Sequence, residues 1–189
     1  VALGDQVSVR RTKTPGVRVV MIEGDGGRLP RGASRNCAGV AAAAVLRQER
    51  APFGLDLVLR KGLPLSSGLG SSAASAAAGA YAAALALGMI GEGAKNSLLV
   101  PALAGEHVAD GSWHGDNVFA SLMGGGLIVV STRPAEIVPL RSSASLRLVI
   151  VHPHFELETR RARAVLPKHV TVADAAAQAG RFASFVEAW

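Results

Sequence analysis

The chain has 189 residues, of which 49% are hydrophobic and 18% are charged. This composition excludes a disordered chain and is typical of a globular protein with a substantial core. Lys and Arg outnumber Asp and Glu by 20 to 14, which gives a net charge of +6, but one Tyr and two Trp offer little surface for base stacking. We therefore predict affinity for small anions and no nucleic-acid partner; a basic nucleic-acid-binding module is the non-catalytic alternative.

The single cysteine, Cys37, excludes an internal disulfide framework and favours a reducing compartment. We expect it to be a small buried residue and not a catalytic thiol. The apolar run at residues 73–90 is close to the length of a membrane span, but Ala, Gly and Ser dominate it, so we predict no membrane partner. The chain begins without Met, as if in the middle of a strand, and is expected to be part of a longer protein with a cytoplasmic location, or a plastid one in a plant.

The hydrophobic pattern predicts an α+β fold. In chain order, the pattern first predicts strands at 5–12 and 17–22, a helix at 36–50 and a strand at 54–62. A glycine-rich loop, an Ala-rich helix closed by Gly88 and a helix at 94–110 follow. The rest of the chain is predicted to form a strand at 124–131, a polar connector at 132–145, a strand at 146–153, and helices at 156–166 and 172–189. We place a domain boundary in the connector, which gives domains 1–144 and 145–189.

The glycine-rich loop, "GLPLSSGLG" at residues 62–70, is called the elbow below. Gly68 and Gly70 permit backbone conformations that turn N–H groups inward, and Ser71 and Ser72 then begin a helix. The N–H groups and the dipole at a helix start favour an anion, and the hydroxyl groups suit phosphate oxygens or Mg²⁺. The pattern therefore predicts a phosphate-binding loop, followed by a helix whose side chains are small enough for close packing against its neighbours.

Two familiar phosphate motifs fit the elbow poorly. A Walker A loop ends in Gly-Lys-Ser/Thr, whereas Lys61 precedes the glycines. A dinucleotide fingerprint is matched formally by Gly68, Gly70 and Ala73, but the turn after the strand is too long. No acidic residue at the end of a second strand follows at the expected distance, so a dinucleotide-dependent oxidoreductase is the weaker alternative.

The stretch "PLSSGLGSSAA" at 64–74 resembles the ATP-binding motif of the GHMP kinases, which has Pro, three residues and then Gly-Leu-Gly-Ser-Ser-Ala. This resemblance implies a ribosomal protein S5 domain 2-like N-terminal domain, followed by the start of a ferredoxin-like C-terminal domain. It also implies ATP as cofactor. The residues that it assigns to the ATP phosphates are Pro64, Leu65, Ser66, Ser67, Gly68, Leu69, Gly70, Ser71, Ser72, Ala73 and Ala74.

A polar cluster follows at 105–126, with Glu106, His107, Asp110, His114 and Asp116. Two histidines seven residues apart suggest a zinc site, but Gly111 is expected to end the helix between them. Beside a phosphate-binding loop, an acid for Mg²⁺ and a pocket for a polar alcohol fit the cluster better.

"WHGDN" at 113–117, "MGGG" at 123–126, "RNCAG" at 35–39 and "HPHFELETRRARAVLP" at 152–167 are together similar to motifs of the homoserine kinases, in the same order. The likeness extends over residues 1–170 and implies L-homoserine as a small-molecule substrate, in threonine biosynthesis. It also allows a homodimer. Another GHMP kinase, such as mevalonate kinase, is the alternative.

The resemblance also implies roles for single residues. Ser72 and Glu106 would bind Mg²⁺, and Asn36 would lie near the nucleotide base. The residues that would bind the substrate are His114, Asp116, Asn117, Thr159 and Arg163, and of these Asp116, Asn117 and Arg163 would act in catalysis.

Two of these roles stay open at this stage. Asp116 would bind the substrate ammonium group or act as a general base, unless Asp116 and Asn117 only cap a helix. Arg163 would contact carboxylate or phosphate, or be an ordinary solvated arginine. The family's first strand, its Asn/Gly-rich loop and its last glycine-rich motif have no counterpart here, so the 189 residues alone are expected to be inactive.

Overall fold

The computed structural model describes residues 4–89, 91–111, 113–141, 147, 149–151 and 164–188. The strands are β1 (Gln6–Thr12), β2 (Gly16–Glu23), β3 (Gly54–Arg60), β4 (Gly126–Thr132) and β5 (Ala135–Leu140), and the helices are α1 (Cys37–Gln48), α2 (Ser71–Leu87), α3 (Glu92–Ser97), α4 (Leu99–Asp110), α5 (Asp116–Met123) and α6 (Val172–Ala188). The α+β class predicted from the hydrophobic pattern is confirmed.

A three-stranded sheet in the order β1-β3-β2 forms one layer, with β1 antiparallel and β2 parallel to β3. Helix α1 connects the two parallel strands. In β3, Leu55, Leu57 and Leu59 are fully buried. Successive side chains of a strand point to opposite faces, so Asp56 lies on the face away from these leucines. The strict alternation in the sequence thus predicts which face of the sheet carries the core.

Helix α2 lies in the centre of the other layer and contacts α1, α4, α5 and β1. Its small side chains permit this close packing. A Cβ atom added to Gly79 would lie 2.4 Å from the Ala38 carbonyl oxygen, and one added to Gly105 of α4 would lie 2.8 Å from Ala41 Cβ and 2.9 Å from Ala76 Cβ. The Ala-rich sequence is therefore explained by close packing on several sides. No helix in the described part of the chain is long and apolar enough to span a membrane.

The helix predicted at 94–110 is divided into α3 and α4. Pro101 explains the division, because a proline ring clashes with the carbonyl group four residues earlier, here that of Ser97. In the first turn of α4 the same proline is tolerated, since its missing N–H group would have no helical partner there. Helix α1 ends at Gln48, two residues before the predicted end.

The polar connector predicted at 132–145 was wrong over much of its length, because Ala135–Leu140 forms β5 and pairs antiparallel with β4. The stretch was predicted as a polar connector, yet Pro139 is tolerated in a strand that, among the described residues, pairs on one side only. Helix α5 was also not predicted, because glycines flank it on both sides in the sequence.

Of the strand predicted at 146–153, the described residues 147 and 149–151 are not in a strand. The helix predicted at 156–166 lies almost wholly outside the described residues, whereas α6 confirms the last helix.

Candidate functional site

The elbow crosses from the end of β3 to the start of α2, as the sequence predicts. Gly68 and Gly70 have φ angles of +74° and +69°, and Gly70 is the residue immediately before α2. Residues with a Cβ atom rarely adopt such angles, so glycine is required for this turn. Ser66 shares the left-handed conformation, with φ at +55°.

Backbone N–H groups of the elbow are available for an anion. Within the described part of the chain, no protein acceptor binds the N–H groups of Gly68, Gly70, Ser71 or Ser72, whereas that of Leu69 donates to Ser67 Oγ at 3.4 Å. Ser71 and Ser72 are the first two residues of α2, where the helix dipole adds positive potential. The geometry is that of an anion-binding site at a helix N-terminus.

The elbow borders a cavity of about 860 Å³, within the range of small-molecule sites. Residues from four segments line it, and many were predicted as site residues. The predicted residues among them are Leu65, Ser66, Ser67, Gly68, Gly70, Ser71, Ser72, Asn36, Glu106, His114, Asp116 and Asn117. The structure therefore brings the predicted nucleotide side and the predicted acceptor side to one cavity.

Ser72 and Glu106, the predicted metal ligands, are in direct contact. Ser72 Oγ donates a hydrogen bond to Glu106 Oε1 at 3.0 Å, and Glu106 is only 9% exposed. A hydroxyl and a carboxylate at the start of α2 fit Mg²⁺, which takes oxygen ligands and completes its shell with water and substrate phosphates. Among the described residues, no three His, Cys, Asp or Glu side chains come together as a metal site.

His114, Asp116 and Asn117 lie in the segment between α4 and α5 and at the start of α5, and all are exposed. Asp116 is the first residue of α5, and its Oδ1 accepts from the N–H group of Asn117 at 3.0 Å. Gly115, the residue before the helix, has no side chain that could cap it, whereas the Asp116 carboxylate binds one N–H group of the first turn, so the capping role of Asp116 stays a prediction beside the substrate-binding one.

Trp113 holds this segment to two neighbouring elements. Its ring stacks on His107 of α4 with centroids 4.1 Å apart and planes inclined by 17°. The guanidinium carbon of Arg133, from the β4–β5 turn, lies 3.4 Å from the centre of the Trp113 ring. Stacking of this kind fixes the residue directly before His114.

Asn36 is buried and already occupied by structural hydrogen bonds. Its Oδ1 caps α1 by accepting from the N–H group of Gly39 at 3.2 Å, and its Nδ2 donates to the Pro30 carbonyl at 3.0 Å. It therefore shapes the cavity wall through its neighbours. Cys37, expected to be buried, is half-buried and also lines the cavity, because it is the first residue of α1.

Thr159 and Arg163 lie outside the described residues. Three basic lining residues were not predicted from the sequence: Arg28 and Arg35, in the segment between β2 and α1, and Lys61, set aside because it precedes the glycines. The stretch "GDGG" at 24–27 is the sequence signal that could have drawn attention to the segment between β2 and α1. The Asp25 carboxylate accepts there from the N–H groups of Leu29 at 3.0 Å and Gly27 at 3.2 Å.

Comparison with known proteins agrees with this arrangement. Residues 36–125 match the model of the GHMP kinases N terminal domain. This part of the chain is therefore a GHMP kinase N-terminal domain, and the α+β fold is the GHMP kinase fold.

Within that class, the chain is similar to homoserine kinases. It is 41% identical over 183 residues to the homoserine kinase of Xylella fastidiosa strain 9a5c, covering 96% of this chain and 55% of that protein. It is 38% identical over 194 residues to that of Chlorobaculum tepidum, covering 97% of this chain and 59% of that protein.

Solved structures show the same relationship. The crystal structure of homoserine kinase from Cytophaga hutchinsonii matches with a TM-score of 0.86 and 39% identity, over 97% of this chain and 58% of that one. The crystal structure of L. major mevalonate kinase matches with a TM-score of 0.55 and 19% identity, over 74% of this chain and 44% of that one, which shows the fold alone. The chain thus spans little more than half the length of the homoserine kinases that it matches.

Proposed function

We propose that the protein catalyses ATP-dependent phosphorylation of L-homoserine to O-phospho-L-homoserine, a step of threonine biosynthesis. The observation that carries the proposal is the end of the elbow, where the N–H groups of Gly68 and Gly70 have no protein acceptor among the described residues. Both glycines line the same cavity as Ser72, Glu106 and Asp116. The similarity of the chain to homoserine kinases, over almost the whole length of this chain, supports the choice of homoserine as the substrate.

In this proposal, the elbow binds the phosphates of ATP. The N–H groups of Gly68, Gly70 and Ser71 donate to phosphate oxygens, and the dipole of α2 favours their negative charge. Phosphoryl transfer depends mainly on positioning and charge neutralisation, which a rigid loop on a buried helix provides.

Ser72 and Glu106 would hold Mg²⁺. When bound, the ion would neutralise part of the negative charge of the phosphates. The contact of Ser72 Oγ with the nearly buried Glu106 carboxylate keeps both oxygen donors at the N-terminal end of α2, beside the phosphate-binding N–H groups.

The acceptor would bind beside His114, Asp116 and Asn117. Asp116 provides a negative charge for the ammonium group of homoserine, and the amide of Asn117 can orient the γ-hydroxyl group. The hydroxyl oxygen forms a bond to the γ-phosphorus as the bond to the β-phosphate oxygen breaks, ADP leaves, and the hydroxyl proton passes to a phosphoryl oxygen. Thr159 and Arg163 are proposed to complete this side.

The test is a phosphorylation assay of the full-length gene product with MgATP and either L-homoserine or mevalonate. We expect O-phosphohomoserine and ADP in equal amounts, and little turnover of mevalonate. Activity on mevalonate alone would show that the substrate assignment is wrong.

A binding measurement separates the kinase from the oxidoreductase alternative. We expect MgATP to raise the melting temperature of the protein and NADH to leave it unchanged. Stabilisation by NADH but not by MgATP would favour a dinucleotide site at the elbow. A cytoplasmic location and a homodimer remain predictions, which fractionation of cells and the mass of the purified protein in solution would test.

A further inference from the structure

Beneath the elbow lies a buried ion pair that the proposed mechanism does not use. Asp5, directly before β1, and Lys61, directly after β3, are in hydrogen-bonding contact, and their side chains are 0% and 1% exposed. Lys61 also lines the cavity. A cation this close to the start of α2 opposes the helix dipole, so its position needs an explanation.

The Asp5 carboxylate binds the end of the elbow that leaves the sheet. Its Oδ1 accepts from the backbone N–H groups of Gly62 at 3.0 Å and Leu63 at 3.2 Å. Gly62 is required for this approach, because a Cβ atom there would lie 2.1 Å from the Gly4 carbonyl oxygen. The first residues of the elbow are therefore fixed to the segment before β1.

Lys61 binds the end of the elbow that enters the helix. Its Nζ donates to the carbonyl oxygen of Ser71 and to Ser75 Oγ, both at 2.8 Å. Ser75 Oγ in turn donates to Asp5 Oδ2 at 2.6 Å. Both ends of the elbow thus meet in one polar cluster, formed by Asp5, Lys61 and Ser75.

Stability alone explains this cluster poorly. A buried ion pair is often no more stabilising than well-packed apolar side chains of similar size, because both charges lose their hydration. Apolar side chains, however, could not bind the N–H groups of Gly62 and Leu63 or the carbonyl oxygen of Ser71. What the polar cluster adds is a defined distance and orientation between the two ends of the elbow.

From this geometry we infer that Asp5 and Lys61 are positioning residues, which hold the elbow in the shape that presents its N–H groups to the phosphates of the nucleotide. The inference rests on the proposed function. Asp5 also balances the charge of Lys61, so that the cluster adds directed hydrogen bonds without an uncompensated buried charge.

The experiment compares variants of the cluster with a matched ion pair elsewhere in the same sheet. The cluster variants are Lys61→Gln, Asp5→Asn and the milder Ser75→Ala, in the full-length gene product. The control is Asp56→Asn in β3, where the 5% exposed carboxylate accepts from Arg10 at 2.8 Å and Arg18 at 2.8 Å on the other face of the sheet. Calorimetric titration with MgADP gives the dissociation constant, and thermal unfolding gives the stability of each variant.

We expect Lys61→Gln and Asp5→Asn to weaken MgADP binding by about tenfold or more, since each leaves buried polar groups of the cluster without their partners. Ser75→Ala should weaken it by about threefold, because both charges remain. Asp56→Asn should lower the melting temperature but leave MgADP affinity within about twofold of wild type. Hydrogen exchange at residues 66–71 should become faster in the cluster variants and stay unchanged in the control.

Wild-type affinity for MgADP in Lys61→Gln and Asp5→Asn would overturn the inference, and so would an equal loss in Asp56→Asn. If neither charge variant folds, Ser75→Ala decides in the same way, with unchanged affinity and exchange overturning the inference. A wild-type protein that does not bind MgADP would overturn the proposed function itself. The two failures are therefore distinguishable.

Discussion

Two walls of the cavity are held in place by different means. The elbow presents backbone N–H groups from a turn of glycines in left-handed conformations, and polar side chains support it, among them Lys61 and Ser71, whose Oγ donates to the Leu63 carbonyl at 3.3 Å. The segment at 111–117 is held by side chains, through the stacking of Trp113 on His107 and the contact of Arg133 with the Trp113 ring. One wall is proposed to bind the nucleotide, and the other the acceptor.

This difference implies that the two binding functions can be disturbed separately. The nucleotide wall depends on the conformation of the elbow and on the polar cluster beneath it, whereas the acceptor wall depends on the stacking of one ring. The walls lie close together at Gly70 and Asn117, because a Cβ atom on Gly70 would lie 3.3 Å from Asn117 Cβ. A substitution at this contact should affect both walls, and substitutions away from it should affect one.

The largest effect is expected from Gly70→Val. Valine is strained at a φ angle of +69° and would press against Asn117, so the elbow must change shape. We expect a loss of MgADP affinity of about a hundredfold or more, measured by calorimetric titration. Gly88→Val is the matched control, because Gly88 ends the same helix at φ +80° with no atom within 4 Å of an added Cβ. Normal nucleotide affinity in Gly70→Val would contradict the proposed phosphate site.

Glu106→Gln keeps the shape of the side chain beside Ser72 but removes its negative charge. We expect the Mg²⁺ concentration for half-maximal activity of the full-length gene product to rise by about tenfold, because a neutral amide binds the ion less strongly than a carboxylate. Glu23→Gln serves as the control, since Glu23 pairs with Arg60 away from the cavity. An unchanged Mg²⁺ dependence would remove Glu106 from the metal site.

The elbow was predicted from the sequence in detail, because its signals are local. Glycine spacing, the serines of the helix start and the alternating β3 each reflect a rule that acts within a few residues. The contact of Ser72 with Glu106 joins residues 34 positions apart, and the metal-binding role predicted for both depended on the family resemblance.

The features that were missed depend on contacts between distant segments. The role of Lys61 requires Asp5, 56 residues away, and nothing in the local pattern connects them. Pro139 was taken as a loop residue because the pattern does not show that β5 has only one neighbour in the described sheet. The stacking of Trp113 likewise needs Arg133 from a turn placed inside a predicted connector.

A smaller and more selective effect is expected from Trp113→Leu. Loss of the contacts with His107 and Arg133 should loosen the segment that carries His114 and Asp116, at a cost of about 1 kcal/mol. We expect the KM for homoserine to rise while the KM for ATP stays near wild type, in steady-state assays of the full-length gene product. Trp113→Phe keeps an aromatic ring and should restore much of the homoserine KM. Equal changes in both KM values would show that the two walls are not independent.

The smallest effect is expected from Asp25→Asn, in the loop beside the nucleotide wall, where the charge of Asp25 should make the free energy of unfolding depend on pH. The backbone N–H groups of Leu29 and Gly27 lower the pKa of the Asp25 carboxyl below its ordinary value. The ionised form therefore stabilises the folded state above the unfolded pKa of about 4, and this contribution is lost as the pH falls through the lower folded pKa. Asp25→Asn should reduce the free energy of unfolding near neutral pH and make it less dependent on acid, with urea unfolding at several pH values as the measurement. Asp56 keeps part of that dependence, since hydrogen bonds from Arg10 and Arg18 lower its pKa too. An acid dependence unchanged by Asp25→Asn would mean that this loop does not gain stability from its carboxylate.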